Sequence, residues 1–321
     1  MGQIFSWFTM FFAMIINFLY GLVNNYGGAI ILFTILIKLM MAPLSINQYK
    51  SQVKMNRINP LVKDIQKKYQ HISDNAERSR KVGEETQTLY KEHNINMMAG
   101  CLPMLIQLPI IWVLYSVITR PLTYIMGLSV EHITSIRGVL EAASNSTEIS
   151  LIHQISANPD IIKGIEGLIY TPLNFNFLGM DLSQTPSFSV ISVLWIIPLL
   201  SGFFTWLSSR MMQTKNKEER LAEKEAYKKA IAEGKEPEID QTAQMQSTMT
   251  TFMPLMIVWI SFSVPAGVGL YWAMTNATQV LQQVLLKKIY SGWERKLPTL
   301  TPIDMTVAKK KKNRYTVKKK K

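Results

Sequence analysis

The sequence predicts an all-α membrane protein with five transmembrane helices, an N-terminal interfacial helix and a cytoplasmic helical hairpin. Three observations predict it. Of 321 residues, 48% are hydrophobic, and apolar runs of about bilayer-crossing length alternate with charged segments. A lipid-exposed backbone must satisfy its own hydrogen bonds, which makes those runs helices. Basic side chains are concentrated in alternate loops, which sets the orientation.

Taken in order, residues 1–26 hold IFSWFTMFFAMIINFLYGLV, long enough to span. Yet Ser6, Thr9, Ala13, Asn17, Gly21 and Asn24 recur at helical spacing as one small or polar stripe. That reads as a helix lying in the outer interface; a sixth span is the other reading, and no charged residue precedes Lys38 to decide. The first span is 28–46. Segment 47–100 reads as a cytoplasmic hairpin, with Pro60 starting its first arm, a polar break from His71 to Asn75, and Asn94-Ile95-Asn96 ending its second arm. The second span is 102–126, followed by an extracytoplasmic segment at 127–187 and a third span at 188–209. Segment 210–246 is a cytoplasmic loop in which both charge signs recur at i,i+4, as in an exposed helix, until Gly234 and Pro237 end it. Residues 247–286 hold the fourth and fifth spans, joined by the tight turn Val264-Pro265-Ala266-Gly267. A basic tail follows at 287–321.

The charge count orients these elements. Segment 47–100 has ten Lys or Arg, 210–246 has eight and the tail has thirteen, whereas 127–187 has only Arg137 and Lys163. The positive-inside rule places the first three in the cytoplasm and 127–187 outside, with the C-terminus inside. A single cysteine, Cys101, excludes an intrachain disulfide. Neither a lipoprotein cysteine nor an Arg-rich transit peptide is visible near the N-terminus, so the expected location is a bacterial plasma membrane.

Enzymatic constellations are missing from the sequence. His71, His93, His132 and His153 lack metal-ligand partners at i+3 or i+4, no G-x-S-x-G or Gly-rich phosphate loop occurs, and no acidic residue lies in any span. No catalysis and no cofactor are expected. One cation stands out instead: Lys38, in FTILIKLMMAP, costs about 2.5 to 3.5 kcal/mol on insertion scales. Snorkelling would bring it only part of the way to the interface, about 12 Å distant at 1.5 Å per residue. The functional reading is a water-filled groove open to the cytoplasm. Gln107 in the second span, Ser201 and Ser208 in the third, and Asn276 and Gln279 in the fifth would share it, since polar groups on several helices are most easily hydrated together. Many of the 19 methionines cluster near the inner mouth, where they suit varied apolar partners as well as ordinary packing. The tail carries Lys309, Lys310, Lys311, Lys312, Arg314, Lys318, Lys319, Lys320 and Lys321, and should bind polyanions: ribosomal RNA or anionic lipid head groups.

Three stretches, ILIKLMMAPLSINQYKSQVKMNRINPLVKDIQKKY, LYKEHNINMMAGCLPMLIQLPIIWVLY and GVGLYWAMTNATQVLQQVLLKK, resemble the bacterial YidC membrane protein insertases, relatives of the Oxa and Alb proteins. The match covers all five spans and the hairpin, about two thirds of the chain, and the order and spacing of the three stretches make it specific. Lacking a large extracytoplasmic domain, the chain looks like the Gram-positive type. The resemblance implies a hydrophilic groove, closed to the outside, with a cation that attracts the polar N-terminal part of a substrate. Lys38 stands where the family usually has arginine: charge is kept, the bidentate fork is lost. Trp272 matches a family aromatic near the groove. The implied partners are nascent membrane proteins, the ribosome and membrane lipids, with the Sec translocon a further candidate. A small-solute transporter or channel is the competing reading, but no internal repeat is visible to support it.

Overall fold

In chain order the helices are α1 Gly2–Val23, α2 Tyr26–Met40, α3 Ala42–Lys68, α4 Asn75–Glu92, α5 Leu102–Thr119, α6 Pro121–Tyr124, α7 Val130–Val139, α8 Glu148–Ala157, α9 Ile196–Met212, α10 Phe252–Ser261 and α11 Ala266–Lys296. This computed structural model describes residues 2–93, 95, 102–143, 145–168, 170–212 and 252–297. Among the described residues the fold is all-α apart from a two-stranded hairpin, in which β1 (Asn176–Phe177) pairs antiparallel with β2 (Met180–Asp181). The chain divides into two compact units.

The first unit holds residues 1–41, 105–210 and 250–281. In it, α1 buries Thr9, Phe12, Ala13, Ile16 and Tyr20, spaced three or four apart. The Phe12 ring meets Phe33 of α2 edge-on, with centroids 5.7 Å apart. The opposite face exposes Trp7, Met10, Phe11, Met14, Phe18 and Leu22. The small and polar stripe of α1 is divided between the two faces, with Asn17 and Gly21 exposed. Thr9 and Ala13 are inside, because small side chains let two helices approach closely, and large apolar side chains dominate the exposed face.

A turn at Asn24, with φ of 48°, reverses the chain, and Asn25 caps α2 by accepting from the Gly28 N–H at 3.0 Å. Segment 174–184 then binds the starts of two helices. The Tyr26 N–H donates to Asn174 O at 3.0 Å, and the Ala266 and Gly267 N–H groups donate to Gln184 O and Leu182 O at 2.8 and 2.9 Å. These bonds satisfy donors that a helix start leaves open. The hairpin turns at Leu178 and Gly179, both with positive φ, as a two-residue connection of this twist requires. Gly27 is required by close approach: a Cβ there would lie 2.3 Å from the Phe177 ring.

The second unit holds residues 42–104, 211–249 and 282–321. Its described core joins Ile58, Leu61, Val62 and Ile65 of α3 to Leu89 and Tyr90 of α4, with Ile95 after it. Pro60 lies inside α3 rather than at its start. The lost N–H bond is outweighed by the apolar seam running on either side of it. Arg57 donates to the Leu297 carbonyl at 2.7 Å and also to the Glu294 carbonyl, satisfying the open C-terminal carbonyls of α11.

Several helix limits differ from the expected spans. The first helix ends at Met40, with Met41 as its cap. The second stops at Thr119, because Pro121 cannot continue it, and α6 starts afresh. The third begins only at a 3-10 turn, Val193–Trp195. The fifth runs ten residues past 286, to Lys296. By length and composition Val193–Met211 could cross a membrane, and Tyr26–Met40 with Ala42–Lys68 passes as a broken pair. Trp7–Val23, Leu105–Thr119 and Phe252–Ser261 are apolar but shorter.

Candidate functional site

Helix α11 is the spine of the site, and three helices of the first unit bond to it. Nearest the helix start, the Ser201 hydroxyl of α9 donates to the Gly269 carbonyl at 3.0 Å. Next, the Gln107 amide of α5 donates to the Tyr271 hydroxyl. Eight residues on, about 12 Å along the axis, the Lys38 ammonium of α2 donates to Gln279 Oε1 at 3.1 Å. The expected polar residues are thus brought to one helix as separate pairs strung along it, not as one cluster.

The environment of each pair differs. Ser201 is fully buried, and Ser208 is buried with it. Thr205 lies between them on the same face and donates to Ser201 O at 2.6 Å. This row at i, i+4, i+7 is a packing seam between helices, not a wetted wall. Gly202, beside it, faces α10: an added Cβ would lie 2.3 Å from Val258 Cγ2. Asn276 turns back on its own helix and donates to Trp272 O at 2.9 Å. Trp272, Asn276, Gln279, Gln107 and Lys38 are all half-buried, and Trp272 packs against the main apolar core.

Lys38 sits in the last turn of α2. A cation is favoured there, because the final carbonyls carry the negative end of the helix dipole. Among the described residues no carboxylate lies within salt-bridge distance of it. An ammonium has three donors and no acceptor, and the amide of Gln279 takes one of them without cancelling the charge. The site is therefore a cation held by a neutral partner, beside further half-buried polar groups.

Tyr271 was not singled out from the sequence, although it stands beside Trp272 in LYW. Its ring is 1% exposed and its hydroxyl is the partner of Gln107. An aromatic with a polar tip, on the helix bearing Asn276 and Gln279, was the available signal. The tail cations from Lys309 to Lys321 and the expected helix in 213–240 lie outside the described residues.

Apolar helices with exposed hydrophobic faces, closed inwardly by polar pairs, define the class of helical membrane proteins. The family model described as 60Kd inner membrane protein matches residues 18–293, and the chain belongs to that family, the family of the YidC proteins. The membrane protein insertase YidC of Fusobacterium nucleatum is 27% identical over 288 residues, which cover 90% of this chain and 98% of the relative. Membrane protein insertase YidC 1 of Lactococcus lactis is 30% identical over 284 residues, 87% of this chain and 74% of the relative. A crystal structure of an active YidC insertase aligns with 87% of this chain and 45% of its own, at 20% identity and a TM-score of 0.46, too distant to bear on the fold.

Proposed function

We propose that the chain is a membrane protein insertase and chaperone that works without enzymatic chemistry. It receives nascent hydrophobic segments in a hydrophilic, positively charged groove and releases them into lipid. The observation that carries this reading is Lys38: a membrane-helix cation whose partner is the neutral amide of Gln279. Such a cation attracts a polar or acidic substrate tail, while burial of the following apolar segment in lipid drives release. Gln107, Trp272, Asn276 and Gln279 would line the groove with Lys38, and Ser201 and Ser208 would hold α9 behind it. The names of the relatives favour insertion over solute transport.

In this reading five helices span the membrane. The α3–α4 hairpin, the loop at 210–246 and the tail face the cytoplasm, and 127–187 faces outward. Ribosomes and anionic lipids would meet the tail, and the Sec translocon could stand alongside. Photocrosslinking from positions 38, 107 and 276 to a stalled nascent membrane protein tests the groove. Adducts at all three are expected, and none at any position would refute it. Liposomes holding purified protein should insert a single-span test protein; solute flux without insertion would favour a transporter.

A further inference from the structure

A second polar site lies in the first unit, away from Lys38. Its cavity of about 460 Å³ is lined by Tyr115 and Thr119 of α5, by Arg120 and Thr123, by Arg137 of α7 and by Glu148 of α8, among others. The cations are the informative part. Segment 127–187 holds only two, Arg137 and Lys163, and Arg120 stands just before it. Lys163 is exposed and pairs with Asp160 three residues away. The other two converge on this cavity.

Neither guanidinium is neutralised by an ion pair among the described residues. Arg137 donates through Nη2 to Ser146 O at 3.2 Å, and its Nε is buried with no acceptor. Glu148 is the opposing charge. Both its oxygens are occupied: Thr123 N donates to Oε2 at 2.9 Å and Thr123 Oγ1 to Oε1 at 2.6 Å. Two guanidiniums against one carboxylate leave the cavity positive, with five-donor forks suited to phosphate oxygens.

The approach to the cavity is apolar. Leu105, Leu108, Trp112 and Tyr115 are exposed along one stripe of α5, and Tyr115 at its end also lines the cavity. A ligand with a phosphate at one end and hydrocarbon at the other matches both features. We propose that this cavity binds the phosphodiester of an anionic phospholipid in the outer leaflet, with Arg120 and Arg137 on the phosphate oxygens and an acyl chain along the α5 stripe.

Native mass spectrometry of the purified full chain tests this, using mixed micelles of phosphatidylglycerol and phosphatidylcholine. The measurement does not depend on which way the chain faces, nor on insertion activity, so the site can fail while the insertase reading stands. Wild type should retain phosphatidylglycerol preferentially. Arg120→Gln with Arg137→Gln should reduce that retention about tenfold or more, the loss expected for charge-assisted bonds, whereas Lys163→Gln should leave it unchanged. Equal retention of both lipids by wild type, or undiminished retention by the double variant, overturns the proposal. Displacement of the lipid by equimolar inorganic phosphate would assign the site to a soluble anion and overturn the lipid. Should the double variant not fold, wild-type retention must still fall as salt rises; salt-independent retention counts against the site.

Discussion

Lys38 lets charge and shape be separated. Lys38→Arg should retain insertion, because the cation is kept. Lys38→Ala should most impair substrates with acidic N-terminal tails, since at 4 Å and an effective dielectric of 20 the lost attraction is about 4 kcal/mol before desolvation. Lys38→Glu should be worse for the same substrates. Insertion of two substrates differing only in tail charge, measured in all four proteins at equal expression, checks this; equal insertion of both by wild type and Lys38→Ala would remove the cation from the mechanism. Lys38, Gln107 and Gln279 were legible in the sequence because a polar group in an apolar run is costly and so conspicuous. Their pairing was not, because nothing in one dimension says that Gln279, rather than Asn276, turns towards Lys38. Ser201 shows a related ambiguity: a hydroxyl reads as wet, but this one is buried and bonded to a helix carbonyl, and Ser208 is buried on the same face.

At the scale of elements, two contacts make predictions. Gly27→Ala places a methyl group into the Phe177 ring and should destabilise by about 1 to 3 kcal/mol. Thermal unfolding in detergent reads this, and Phe177→Ala should make the two changes non-additive. In the hairpin, Lys68 bonds Glu85 at 2.9 Å, and that hydrogen bond holds the ammonium above the ordinary lysine range. A raised folded-state value stabilises fully below the unfolded value, about 10.4, and is lost as pH rises through the folded one. The pair is half exposed, so Glu85→Gln should cost only about 0.2 to 1 kcal/mol. Unfolding should show that difference at neutral pH and lose it in strong alkali. Helices were legible here from periodicity, their ends less so. Met41 and Arg120 interrupt runs that hydropathy reads as continuous, and the α3 seam carries its helix through Pro60, where propensity alone would start one.

For the whole molecule, the proposed orientation and docking both rest on charge. Deleting 309–321 removes nine cations and should weaken ribosome co-sedimentation, with wild-type binding falling as salt rises. Unchanged binding at low salt would exclude the tail. The helical class of the described residues was legible, but the order of 127–187 was not, since its short helices and hairpin show no long period. That segment has a mechanical consequence. Its carbonyls tether α2 at Tyr26 and α11 at Ala266 and Gly267; were the two helices to swing apart, the tethered ends would be the pivot and the far ends the lever. Lys38 stands twelve residues from that pivot, about 18 Å, so each degree of swing moves it about 0.3 Å. A swing of about 10° would add about 3 Å to the 3.1 Å between Lys38 and Gln279, unlatching the pair while the fulcrum stays shut.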